Sequence, residues 1–221
     1  MTRRTLLIGV ALALALGACA EDPTPTPKPA CPTAAPTAIE AQSILQDAGY
    51  ATVTVSGGAS GTFVIELFGD AAPIATASFV NLARCGYYDG VSFHRVLAGF
   101  VIQAGDPQTR TNRGDFRGLG TGGPGYEFEI EPPAEGLRYD PYVVAMANNG
   151  RTNGGQFFID LVDLDEALRS VGVYTIFGEV TSGTEVVDAI AGVPVNDPRV
   201  GVPLTPVIID SMVISGDAPE G

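Results

Sequence analysis

Apolar and polar residues alternate over residues 52–55 and again over residues 62–68, where Phe63, Ile65 and Leu67 fall on one face. A period of two marks a strand with one buried side, so two strands are predicted, joined through residues 56–61 as a hairpin. From Pro73 the period changes: Ala75, Phe79 and Leu82 recur at spacings of four and three until Gly86, which predicts a helix with one packed stripe. Ser182 and Glu185 stand three apart as in a capping box, with Val186, Val187 and Ile190 facing inward and Gly192 after them, so a second helix is predicted. A third, shorter one is expected over residues 163–170. The remaining apolar stretches, at 93–103, 142–147, 156–160, 174–180 and 207–214, are short and rich in β-formers. Many short strands with two substantial helices predict a mainly β fold: a closed barrel with helices at its openings, since closure removes exposed edges. The Gly-rich residues 106–126 belong on its surface.

The N-terminal end follows another pattern. Arg3 and Arg4 precede an uncharged run of eleven residues, Leu6 to Leu16, whereas a settled membrane span needs about 20. This reads as a signal peptide. Leu16-Gly17-Ala18-Cys19 resembles the lipobox of bacterial lipoproteins, in which the cysteine thiol is lipidated and becomes the new N-terminus; an ordinary secretory leader with an incidental Cys is the competing reading. Residues 20–37 are dominated by Pro, Thr and Ala, and repeated Pro removes donors and fixes φ, which gives a semi-extended spacer. The expected division is a leader over 1–18, the lipidated Cys19 with its tether over 19–50, one compact domain over 51–216 and a tail over 217–221. The chain would then be extracytoplasmic and lipid-anchored to the cell membrane.

Charge narrows the partners. The formal net charge of −13 becomes −15 once Arg3 and Arg4 leave with the leader, and such a surface repels phosphate backbones, so nucleic acid is excluded. Three cysteines are too few for a disulfide framework, and the core must rest on burial. Cys31 and Cys85 pair in an oxidising compartment only if the fold brings their Cα atoms together.

Two blocks carry the chemistry. The first is Ser92-Phe93-His94-Arg95-Val96 followed by Gly99-Phe100-Val101-Ile102-Gln103-Ala104-Gly105-Asp106; the second is Ala145-Met146-Ala147-Asn148, then Asn153-Gly154-Gly155-Gln156-Phe157-Phe158-Ile159. They resemble the signature segments of the cyclophilin family of peptidyl-prolyl cis/trans isomerases, and Thr175 to Val180 is similar to that family's closing strand. The resemblance covers about residues 51–215. It implies a closed eight-stranded antiparallel β-barrel capped by two α-helices, and catalysis of X-Pro rotation without metal or cofactor. The implied partners are proline-containing polypeptides, handled by a chain expected to be monomeric.

Rotation about an X-Pro amide is slow because the nitrogen shares its lone pair with the carbonyl, at a barrier of about 18–20 kcal/mol. A fixed donor near the prolyl nitrogen weakens that conjugation, and an apolar pocket holds the ring while the acyl side turns. Arg95 is the expected donor, since a guanidinium stays charged and presents a rigid fork of N–H groups. Phe100, Val101 and Phe158 are expected to line the proline pocket, Val101 standing where the family commonly carries Met. Gln103 and Asn148 would position the substrate backbone, with Ala147 and Gln156 beside them. Tyr174 falls where many members carry His, which puts an aromatic ring at the far rim. The family's Trp or His at the pocket edge is missing; residues 160–173 run longer than usual, and Leu164 is the nearest apolar stand-in, which disfavours cyclosporin-like ligands. His94, the only histidine, precedes Arg95 and faces the other side of the strand, so a structural role is expected for it. Two other functions stay in play: a module that captures extended Pro-containing segments without turnover, and a structural envelope protein.

Overall fold

The computed structural model describes residues 27–112 and 118–219; the leader and Cys19 lie outside them. The expected hairpin forms from β1 (Tyr50–Gly57) and β2 (Gly61–Leu67), with Val53 opposite Phe63. The order continues through α2 (Pro73–Arg84), β3 (Arg95–Leu97), β4 (Val101–Ala104), β5 (Phe128–Glu129), β6 (Val143–Asn148) and β7 (Thr152–Asp160). After them come α3 (Asp165–Val171), β8 (Ile176–Ser182), α4 (Thr184–Ala191) and β9 (Val207–Ser215), while α1 (Ala38–Ile44) precedes β1.

The strands form one antiparallel sheet in the order β3-β4-β7-β6-β8-β2-β1-β9, with β5 paired to β7 off this path. The sheet curls into a half-barrel, not the closed eight-stranded barrel expected. Its ends, β3 and β9, share no ladder; one isolated bridge, Ser92 to Ile208, lies at the seam. Two hydrogen bonds flank it, Phe93 N to Val207 O at 2.9 Å and Ile209 N to Val91 O at 2.8 Å. The physical reason is the outer edge of β3, where Val96 N donates to Gly201 O at 2.6 Å, so the contacts with β9 fall to residues 90–93 ahead of the strand.

Strict alternation divides the apolar residues between two clusters. Ile102, Ala104, Val144, Met146, Phe157, Ile159 and Phe177 point into the curl, where they meet Phe63, Phe79, Leu82 and Ile190. Phe79 of α2 lies tilted at 4.8 Å from Phe177 and edge-on at 5.6 Å from Phe157, locking that helix over the opening. The alternate residues Val101, Val143, Ala145, Phe158 and Ile176 point outward and form a second cluster with Tyr139, Leu164 and Leu168.

Helix ends show where long-range partners overrode local signals. At the start of α2 the N–H groups of Ile74 and Ala75 donate to Glu131 at 3.0 and 2.8 Å, a remote carboxylate serving the dipole end. The capping box expected at Ser182 does not form. Ser182 is held in the ladder opposite Val64, and Gly183 caps α4 with φ of 75°, where a Cβ would lie 2.3 Å from Thr62 O.

The Pro-rich stretch becomes part of the domain from Cys31 onward. A disulfide joins Cys31 to Cys85 at the end of α2, with Cα atoms 5.0 Å apart. A capping box of Thr37 and Glu40 starts α1, and Arg84 bonds Ile44 O at 3.2 Å and Asp47 at 2.6 Å.

Candidate active site

Strand register assembles the site on the outer face of the sheet. Arg95 lies opposite Gln103, Gln103 opposite Phe158, and Phe158 opposite Ala145, so a row crosses β3, β4, β7 and β6 on one side. Residues two apart share that side, which adds Val101 to it. Val101, Phe158 and Leu164 are buried members of the outer cluster, and Phe100, Ala147 and Tyr174 are partly buried against it. All six apolar positions expected at the pocket therefore converge.

Arg95 stands at the edge of this apolar surface, half-buried. Its guanidinium carbon lies 5.8 Å from the centre of the Phe100 ring, and Nη1 is 3.5 Å from Gln103 Oε1. Among the described residues it makes no ion pair. Burial pushes its pKa below the ordinary arginine value and Tyr174 opposes that shift, but a guanidinium keeps its charge in proteins.

The amides form a relay. Gln103 Nε2 donates to Gln156 Oε1 at 3.0 Å, and Gln156 Nε2 donates to Gly122 O at 2.8 Å. A groove of about 750 Å³ opens beside them, lined by Gln103, Ala147, Asn148, Gln156 and the 120–127 loop. Asn148 also ties two loops: Nδ2 donates to Val173 O at 2.8 Å and Oδ1 accepts from Gly150 N at 2.9 Å. It borders the groove and keeps a second N–H and a second lone pair beyond these two bonds.

Tyr174 meets Phe158 edge-on at 5.4 Å. Its backbone is clamped by Tyr139, whose hydroxyl donates to Tyr174 O at 2.8 Å and accepts from Tyr174 N at 3.0 Å. Tyr139 gave no signal in the sequence, being 35 residues away. Asp106 was quoted in the first block without a role. Its carboxylate accepts from Gln108 N, and from Gly120 N and Gly122 N at 2.6 and 3.3 Å, fixing the loop that supplies Gly122 O. His94 is buried, with Nε2 close to Gly120, and burial lowers its pKa to about 4. An imidazole so enclosed is neutral near pH 7.

The arrangement offers a cation with no acid partner among the described residues, set beside an apolar cup, with an amide relay leading to a groove. A family model described as cyclophilin type peptidyl-prolyl cis-trans isomerase/CLD matches residues 50–214. Peptidyl-prolyl cis-trans isomerase B of Streptomyces anulatus is 41% identical over 183 residues, covering 75% of this chain and 95% of that protein. Peptidyl-prolyl cis-trans isomerase A of Mycobacterium tuberculosis (strain ATCC 25618 / H37Rv) is 41% identical over 176 residues, covering 70% and 87%. Among solved structures, a Cryptosporidium parvum cyclophilin type peptidyl-prolyl cis-trans isomerase, determined in the presence of the dipeptide Ala-Pro, aligns with a TM-score of 0.64 at 31% identity. That alignment covers 76% of this chain and 99% of that one.

Proposed function

The chain belongs to the cyclophilin-type peptidyl-prolyl cis-trans isomerase family, and from that premise we propose that it catalyses X-Pro rotation at the cup beside Arg95, in exported or envelope proteins whose folding it assists. The proline ring enters among Phe100, Val101, Phe158 and Leu164, with Tyr174 at the rim; burying it gains roughly 25 cal/mol per Å² without competing hydrogen bonds. Arg95 donates toward the imide nitrogen as it becomes pyramidal, where its charge stabilises the twisted state more than the planar one. Gln103 orients the guanidinium, and the relay to Gly122 fixes Gln103. The observation that carries this reading is a half-buried guanidinium with no acid partner among the described residues, set against the Phe100 ring.

The test compares wild type with Arg95→Ala in a protease-coupled assay on an Ala-Pro peptide. A loss of tenfold or more, about 1.4 kcal/mol in the barrier, is expected. Equal rates would remove Arg95 from the mechanism, and peptide affinity without turnover in the wild type would leave the capture module instead.

Export and anchoring are part of the same proposal. Cleavage before Cys19 and lipidation of its thiol would place the domain outside the cell membrane, held by several acyl chains. The Cys31–Cys85 disulfide supports this, since such bonds persist in oxidising compartments. Labelled palmitate should enter the wild-type protein and not Cys19→Ala; equal labelling of both would reject the anchor.

A further inference from the structure

Asp160 closes β7 and lies on the same side as Phe158, two residues before it. Register sets Val101 opposite it on β4 and, one step from the Val144–Ile159 pair, Val143 beside it on β6. Each of these apolar residues belongs to the outer cluster under the proline pocket. Asp160 is fully buried there, and neither carboxyl oxygen has a hydrogen-bond partner among the described residues.

The charged and titratable neighbours offer no compensation. Asp140, in the turn before β6, is a like charge that acts against ionisation. Arg138 is committed to Asp140, Asp163 and Asp165, and Arg169 to Asp165. The Tyr139 hydroxyl is tied to Tyr174, Glu179 is an exposed acid opposite Val143 on β8, and Arg95 sits across the sheet on β3. An ionised carboxylate removed from water without a partner is far costlier than the neutral acid.

We propose that Asp160, in its neutral protonated form, is a positioning residue for the isomerase site, keeping Val101 and Phe158 in place, and that its ionisation disables the pocket. The inference rests on the pocket assignment made above. Burial, with Asp140 adding to it, pushes the pKa of Asp160 up from 3.8 to about 8. Below that pH the acid packs as a small neutral side chain. Above it the charge draws water into the cluster, and the residues that must yield are the pocket wall.

The test is kcat/KM for an Ala-Pro peptide from about pH 6 to about 9.5, followed by protease-free NMR exchange. If only the neutral form is active, the wild type falls about tenfold between pH 7 and 9, while Asp160→Asn gives one value across the range. A flat wild-type profile, or the same alkaline limb in Asp160→Asn, overturns the proposal. Arg95→Ala separates it from the premise: loss of activity at every pH alongside a limb that ignores Asp160→Asn sinks this inference alone. Full activity in Arg95→Ala with a limb abolished by Asp160→Asn sinks the Arg95 assignment alone. Should Asp160→Asn not fold, the wild-type carboxyl carbon is titrated by NMR. A buried Asp titrating near pH 8 supports the proposal, and none titrating above about pH 6 ends it.

Discussion

Cutting the crosslink between Cys31 and Cys85 should cost stability and spare catalysis. Cys31 is exposed, so Cys31→Ser leaves no cavity and changes little in the native state. The effect falls on the unfolded chain, where the bond closes a loop with a sequence separation of 54. In the chain-entropy model that closure removes about 14 cal/mol/K, or about 4 kcal/mol at 25 °C. The figure holds if residues 31–49 unfold with the domain, which the burial of Ala41, the α1 capping box and the Arg84 bonds to Ile44 and Asp47 favour. Urea unfolding followed by circular dichroism should show a midpoint lowered by that free energy divided by the slope. Isomerase activity in the native range should change less than twofold, because α2 packs inside the curl and the site lies on the outer face. An unchanged midpoint would mean that the N-terminal segment detaches before the cooperative transition. A collapse of activity would mean that this segment shapes the site, contrary to the two-cluster architecture.

Three further outcomes follow from the same geometry. His94 is held neutral with its pKa lowered to about 4; its folded value lies below the unfolded one near 6.5, so its stability contribution is complete above about pH 6.5 and is lost as pH falls toward 4. Urea midpoints measured against His94→Phe should diverge in that window and nowhere else. Asp106→Ala removes the acceptor for Gly120 and Gly122, and should raise KM more than it lowers kcat, since it frees the loop that anchors Gln156; unchanged KM would refute that coupling. Gly105→Ala forces a Cβ to within 2.4 Å of Gly155 O at a φ of 97°, and a loss of more than about 1 kcal/mol in urea unfolding is expected; a neutral result would show that β4 and β7 can separate there freely.

Periodicity alone marked the β1–β2 hairpin and the inward stripe of α2, because both are read from neighbours a few residues apart. Arg95, Gln103 and Phe158 were named through the resemblance of the two blocks to a known family, and the strand register then sets them in one row on one side of the sheet. The sequence did not reveal that Ser182 stays in the sheet instead of capping a helix, as its partner Val64 lies far along the chain. Nor did it show that Gly201 takes the outer edge of β3, leaving the seam with β9 unladdered. Asn148 tied two loops, Tyr139 reached across 35 residues to clamp Tyr174, and Cys31 met Cys85. Nothing local in the sequence singled out Asp160, which the register encloses in apolar side chains. In each case local pattern determined the element, while pairing over long separations decided the partner, and partners set burial, charge state and the shape of the site.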